Sequence, residues 1–174
     1  LSEVLLSLRR LSAKVRGQKG RLGYVLLVWL VIIGSIFAAN AAQFLNPQRF
    51  PGNSSVYTII TSILMLAGIG IPWWAIVTLG RFFSVGIALQ EQHQIVQKGL
   101  YRWIRHPTYT GLLIIFLGIG ITFNNWLSLI LIVVPITTLF IYRIKIEEDA
   151  LSEELGTVYL GYRNKTNRLL LGIF

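Results

Sequence analysis

The chain has 174 residues, of which 54% are hydrophobic and only 13% charged, with a formal net charge of +9 and no cysteine. A soluble domain carries about 25% charged residues, and one domain of this length has no interior large enough to hide so much apolar surface, so the apolar mass must face lipid. The missing cysteines exclude disulfides, a thiolate nucleophile and a zinc–thiolate centre. No metal site is expected. The basic residues flank apolar runs, which points to anionic lipid headgroups and not to nucleic acid.

Residues 1 to 16 place Leu1, Val4, Leu5, Leu8, Leu11 and Val15 on one helical stripe with basic residues opposite, the pattern of an amphipathic helix lying in the membrane plane. The first apolar run follows, from Leu22 to Phe44. Its basic start and the stretch Ala39-Asn40-Ala41 also resemble a signal peptide. Gly34, Ala38 and Ala42, four residues apart, suit close packing of a membrane helix instead. The second run, Val56 to Leu79, is interrupted by Pro72. Both runs reach the roughly 20 residues that a membrane helix needs. Thr110 to Phe123 and Trp126 to Tyr142 are shorter and separated only by Asn124 and Asn125, which predicts a tight helical hairpin.

Lysine and arginine set the orientation. They crowd the segment before the first run (Arg9, Arg10, Lys14, Arg16, Lys19, Arg21), the loop before the third (Arg81, Lys98, Arg102, Arg105) and the tail (Arg143, Lys145, Arg163, Lys165, Arg168). Only Arg49 lies between runs one and two, and the Asn-Asn turn has none. The expectation is an all-α, multi-pass membrane bundle of four crossings with both termini cytoplasmic. A basic amphipathic segment (1–21), two membrane helices (22–79) and a loop, hairpin and C-terminal helix (80–174) form one domain.

The polar segments carry the chemistry. The loop contains both histidines of the chain, in His93-Gln94-Ile95-Val96 and Tyr101-Arg102-Trp103-Ile104-Arg105-His106-Pro107-Thr108-Tyr109-Thr110-Gly111. Read as residues alone, it is also a basic membrane-surface loop with snorkelling arginines and interfacial aromatics. Arg143 and Glu147 are four residues apart, on one helix face. That spacing fits a simple ion pair worth a few tenths of a kcal/mol. It also fits a cation and an anion displayed where a helix leaves the membrane. Glu148, Asp149, Glu153 and Glu154 read as a solvated helix face.

The loop, together with the tail's Arg143-x-x-x-Glu147-Glu148, Leu155-Gly156, Tyr159-x-x-Tyr162 and Lys165-Thr166-x-Arg168-Leu169, resembles the isoprenylcysteine carboxyl methyltransferase family, relatives of the phospholipid methyltransferases. The resemblance covers residues 80 to 170. It implies an S-adenosyl-L-methionine site formed by His93, Gln94, Ile95, Val96, Tyr101, His106, Pro107, Thr108, Tyr109 and Glu147. Arg143 stands at the family position that faces the substrate and carries its orienting, catalytic role. Ile95 replaces the usual leucine, Leu155 replaces the phenylalanine before Gly156, and Leu171 stands where the family often has proline.

The implied reaction is methylation of an isoprenylcysteine-type carboxylate on a lipidated acceptor at the bilayer, leaving S-adenosyl-L-homocysteine. A carboxylate is ionised near pH 7 and needs no general base, in keeping with the absence of an obvious dyad. A phospholipid amine or a small thiol is the alternative acceptor, for which His93 or His106 would serve as base. A nicotinamide-dependent sterol-type reductase shares a similar Arg-His-Pro-x-Tyr turn, but Thr108 and Leu112 stand where that family has Asn and Glu. A non-catalytic scaffold is the third class. The acceptor, the organelle and the oligomeric state are not written in the sequence.

Overall fold

A chain segment in lipid must satisfy its backbone polar groups internally, and in the computed structural model every apolar run is helical. The structure describes residues 2–45, 49–80 and 95–169, with the side chains of the first helix from residue 23 onward. Helix α1 runs Ser2–Leu45, α2 Ser54–Leu79, α3 Pro107–Thr122, α4 Trp126–Leu155 and α5 Thr157–Arg163. Among the described residues there is no strand, only two isolated bridges, Arg49 with Asn125 and Ile104 with Asn167.

Among the described residues, three segments are long and apolar enough to cross a membrane: Gly23–Leu45, Ser54–Leu79 and Trp126–Leu155. The 16-residue α3 spans about 24 Å at 1.5 Å per residue, short of a hydrocarbon core of roughly 30 Å. Large side chains on the outer faces are bare, including Phe37 at 76%, Leu66 at 73% and Trp73 at 71% exposed. In water such a surface would drive aggregation; in lipid it is the expected exterior.

α1 packs on α4, α4 on α3, and α3 on α2. The α1–α4 seam uses Ser35, Ala39 and Ala42, all buried, and the Ser128 hydroxyl donates to the Ala39 carbonyl at 2.6 Å. The small-residue stripe therefore keeps Ala42 of the expected Gly34, Ala38 and Ala42 and uses Ser35 and Ala39 in place of the other two. Gly34 is exposed, with no atom near its missing Cβ, because α4 meets the neighbouring face of the helix. Ala39, Phe116, Ile132, Ile136 and Phe140 form the core.

The α2–α3 seam is tighter. A Cβ on Gly111 would lie 2.3 Å from Pro72 Cδ and 2.8 Å from the Gly68 carbonyl, and one on Gly68 would lie 2.9 Å from the Gly111 carbonyl. α2 continues through Pro72, and the proline ring fills the gap that Gly111 leaves.

The hairpin expected at Asn124-Asn125 is present. Asn124 takes a left-handed conformation at φ 50, which asparagine tolerates better than most residues. Asn125 caps α4 through its side chain, accepting from Ser128 N. Phe50 N–H reaches the Asn124 carbonyl at 3.4 Å, and the Phe50 ring packs edge-on against Trp126 at 4.6 Å. The α1–α2 connection and the hairpin turn thus share one end of the bundle. The apolar run ends at Tyr142, and α4 continues past it to Leu155, as the helical spacing of Arg143 and Glu147 implies. Charged residues end the apolar stretch without ending the helix.

Gly111→Ala should lower stability by about 1–3 kcal/mol, the usual cost of overpacking a tight seam, because both the proline ring and the opposing backbone are rigid. Gly34→Ala, with open space at its Cβ, should be neutral or stabilising. Thermal unfolding of the two purified variants in one detergent checks the contrast.

Candidate functional site

At the other end of the bundle the loop before α3 meets the tail. Gly99, at φ +56, brings the chain against α2, where a Cβ would sit 3.0 Å from Thr78 Oγ1. A short 3₁₀ turn, Gly99–Arg102, follows. The backbone then runs beside the tail. Asn167 N–H donates to the Trp103 carbonyl at 3.0 Å, Arg105 N–H to the Asn167 carbonyl at 2.8 Å and His106 N–H to the Arg168 carbonyl at 3.0 Å. Pro107 opens α3 at its first turn, where a missing N–H costs nothing. The Tyr162 hydroxyl, which burial keeps protonated by pushing its pKa up, donates to the Tyr101 carbonyl at 2.7 Å.

Beneath this junction lies Glu148, 1% exposed. Its Oε1 accepts from Arg105 Nε at 2.7 Å and its Oε2 from Arg168 Nε at 2.7 Å. Arg105 also donates through Nη1 to the Arg163 carbonyl at 2.8 Å and to the Thr166 carbonyl. The solvated face expected for Glu148, Asp149, Glu153 and Glu154 therefore holds for the last three, which are exposed, and fails for Glu148. Its burial depends on two cations distant in sequence.

Glu147, one residue earlier, faces another group. Arg143 Nε lies 3.0 Å from its Oε1, and the Tyr109 hydroxyl donates to the same oxygen at 2.8 Å. The expected i,i+4 pair is present and lies in a partly buried setting. The Arg143 guanidinium sits over the Tyr24 ring of α1, 4.7 Å from its centroid. His106, 8% exposed, joins the two carboxylates: Nδ1 is 3.8 Å from Glu147 Oε2 and Nε2 is 3.4 Å from Glu148 Oε1. The Nε2 contact is not aligned as a hydrogen bond, and that nitrogen has no other partner among the described residues.

On the tail side of His106 lies an open cleft of about 120 Å³, smaller than the ~300–1,000 Å³ of a complete small-molecule site. Ile95, Val96, Tyr101 and His106 line it, opposite Leu151 and Tyr159. Burial pushes the Tyr101 hydroxyl up to about 12. Burial, reinforced by nearby Glu148, does the same for Tyr159. Both remain hydrogen-bond donors at neutral pH.

The structure thus gathers Ile95, Val96, Tyr101 and His106 on one cleft. Thr108 follows in the first turn of α3, while Pro107 is fully buried and shapes the turn. Tyr109, Arg143 and Glu147 sit behind His106, outside the cleft lining. His93 and Gln94 lie outside the described residues. Sequence reasoning missed Tyr24, Arg105, Glu148, Tyr159 and Arg168. The only trace of Tyr24 was an aromatic at the start of an apolar run, and the others had no periodic signal.

Comparison with known proteins gives a consistent picture. The sequence profile described as the isoprenylcysteine carboxyl methyltransferase (ICMT) family matches residues 59–153. Protein-S-isoprenylcysteine O-methyltransferase A of Arabidopsis thaliana is 31% identical over 128 residues, covering 62% of this chain and 65% of that protein. The Saccharomyces cerevisiae protein-S-isoprenylcysteine O-methyltransferase is 32% identical over 110 residues, covering 62% of this chain and 46% of that protein. A solved eukaryotic intramembrane Ras methyltransferase, ICMT, superposes with a TM-score of 0.59 at 23% identity, over 86% of this chain and 51% of that one. At that identity the superposition speaks for the fold. The chain spans less than two thirds of the length of each of these proteins.

Replacing Glu148 by glutamine should cost about 3–5 kcal/mol, the usual penalty for removing one partner of a buried ion pair, and should expose the junction of loop and tail to protease. Asp149→Asn, on the exposed side, should change stability by less than about 0.5 kcal/mol. Denaturant unfolding and limited proteolysis of the two variants check this.

Proposed function

The chain belongs to the isoprenylcysteine carboxyl methyltransferase family, and on that premise we propose that it moves a methyl group from S-adenosyl-L-methionine to the carboxylate of a lipidated, isoprenylcysteine-type acceptor, leaving S-adenosyl-L-homocysteine. It is an integral membrane protein, as its apolar helices and family membership indicate. The observation that carries the reading is His106. An open, mostly apolar cleft lies on one side of it, and the Arg143–Glu147 pair lies on the other.

The residues fit the donor in kind. A largely apolar cleft with the His106 imidazole in its wall suits a small molecule with a few polar atoms, and Glu147 supplies the anion for its cationic groups. Ile95, Val96, Tyr101, His106, Pro107, Thr108 and Tyr109 are the described residues assigned to hold it, with His93 and Gln94 completing the set. When bound, the donor supplies a methyl carbon activated by a sulfonium. The protein's task is to align the acceptor with that carbon, and alignment supplies most of the acceleration in such a displacement. Arg143 is the orienting group. Its planar guanidinium matches a carboxylate, and the Tyr24 ring beneath it fixes the plane. The acceptor needs no base, because its carboxylate is already ionised.

The lipid part of the acceptor reaches the site from the bilayer. Four crossings put the loop at Lys98 and the tail at Lys165 in the cytoplasm, opposite Asn53, and residues 1–21 lie along the membrane surface as an amphipathic helix. The contacts between the 95–106 loop and the 162–168 tail support a common side for loop and tail.

Incubating the protein with labelled S-adenosylmethionine and total membrane extract should yield a base-labile methyl ester. A base-stable product would replace the carboxylate with an amine or thiol acceptor. Arg143→Lys should bind S-adenosylhomocysteine as the unaltered chain does and lose roughly a hundredfold in turnover, the scale of a ~1 Å misplacement, because lysine lacks the planar fork. Full turnover in that variant would show that Arg143 only neutralises Glu147. Single cysteines introduced at 98 and 165 into this cysteine-free chain should react with an impermeant thiol reagent from the same side of the membrane. Labelling from opposite sides would remove one crossing.

A further inference from the structure

Buried polar side chains in folded proteins nearly always have a partner, and each exception calls for an explanation. Among the described residues three side-chain atoms are buried without one: His106 Nε2, Asn124 Oδ1 and Tyr159 Oη. Two of the three, on His106 and Tyr159, belong to residues lining the same cleft. Two other polar groups there are committed. Tyr162 Oη donates to the Tyr101 carbonyl, and Arg105 is held by Glu148 and two carbonyls.

Tyr159 is 2% exposed and sits on α5, a seven-residue helix outside the loop and tail positions that the family resemblance assigns to the donor. Its ring is held against that of Tyr162, with centroids 6.2 Å apart. The rest of the wall is apolar: Leu79, Ile95, Val96, Leu151 and Leu155. Apolar and aromatic walls with a fixed O–H donor suit a flat heteroaromatic ring with an acceptor nitrogen on its edge. A sugar or phosphate would need many donors or a cation, and here the cation, Arg105, is already spent.

We infer that Tyr159 is a ligand-binding residue: its hydroxyl donates to a ring nitrogen of the purine of S-adenosylmethionine, and the cleft between α4 and α5 is the purine's seat. The assignment rests on the proposed function and adds a residue and a division of labour. The purine lies on the tail side of His106, and the charged amino-acid end of the donor faces Glu147.

Isothermal titration of the full chain in detergent with S-adenosylhomocysteine tests it by binding alone. Tyr159→Phe keeps the ring and removes the donor. It should melt at the same temperature without ligand and bind roughly tenfold more weakly, the scale of one lost hydrogen bond. Leu155→Trp, which fills the cleft from α4, should abolish measurable binding. Unchanged affinity in either variant overturns the inference; in Tyr159→Phe it would mean that a trapped water alone serves the hydroxyl. If Tyr159→Phe does not fold, the unaltered chain can be titrated with analogues in which each ring nitrogen in turn is replaced by C–H. One analogue should lose about tenfold, and equal affinity for all overturns the inference. No binding of S-adenosylhomocysteine by the unaltered chain removes the proposed donor, and the inference with it. Tight binding that ignores Tyr159 and Leu155 removes the inference alone.

Discussion

The buried carboxylate of Glu148 governs the working end of this molecule. Taking an ionised carboxylate out of water costs several kcal/mol unless cations and donors surround it, so the residues that accompany it are not free to be elsewhere. Arg105 and Arg168 each meet one of its oxygens at 2.7 Å. Arg105 then reaches on to the Arg163 and Thr166 carbonyls, which ties the loop to the tail. His106 follows Arg105 in the chain and is carried by it into the space between Glu147 and Glu148. The cleft is what remains on the tail side of that arrangement.

Consecutive residues of a helix point about 100° apart, and α4 uses this to give its two adjacent glutamates different tasks. Glu148 faces loop and tail and is structural. Glu147 faces α1 and α3, where Tyr109 and Arg143 meet it and Tyr24 lies under the arginine. One turn of one helix therefore joins the part of the molecule that holds itself together to the part proposed to handle the reaction. The α2–α3 seam supports this from below. Gly68, Gly111 and Pro72 bring the two helices close, and α3 begins at Pro107, next to His106.

What the sequence revealed and what it hid follow a physical line. Apolar runs, the asparagine turn and the Arg-His-Pro loop are local signals, carried by neighbouring residues. Burial of Glu148 is not local. It depends on partners 43 and 20 residues away, and nothing near Glu148 distinguishes it from the exposed Asp149. The phase of α1 was missed for a similar reason. Gly34, Ala38 and Ala42 and the stripe Ser35, Ala39, Ala42 are equally small, and only the position of Ser128 on α4 chooses between them.

An ionised carboxylate without its cations stays in water. Until Arg105 and Arg168 have closed over Glu148, this end of α4 therefore resists entry into the bilayer while the apolar part of the helix inserts. The carboxylate that locks the finished site also marks the depth to which α4 can sink.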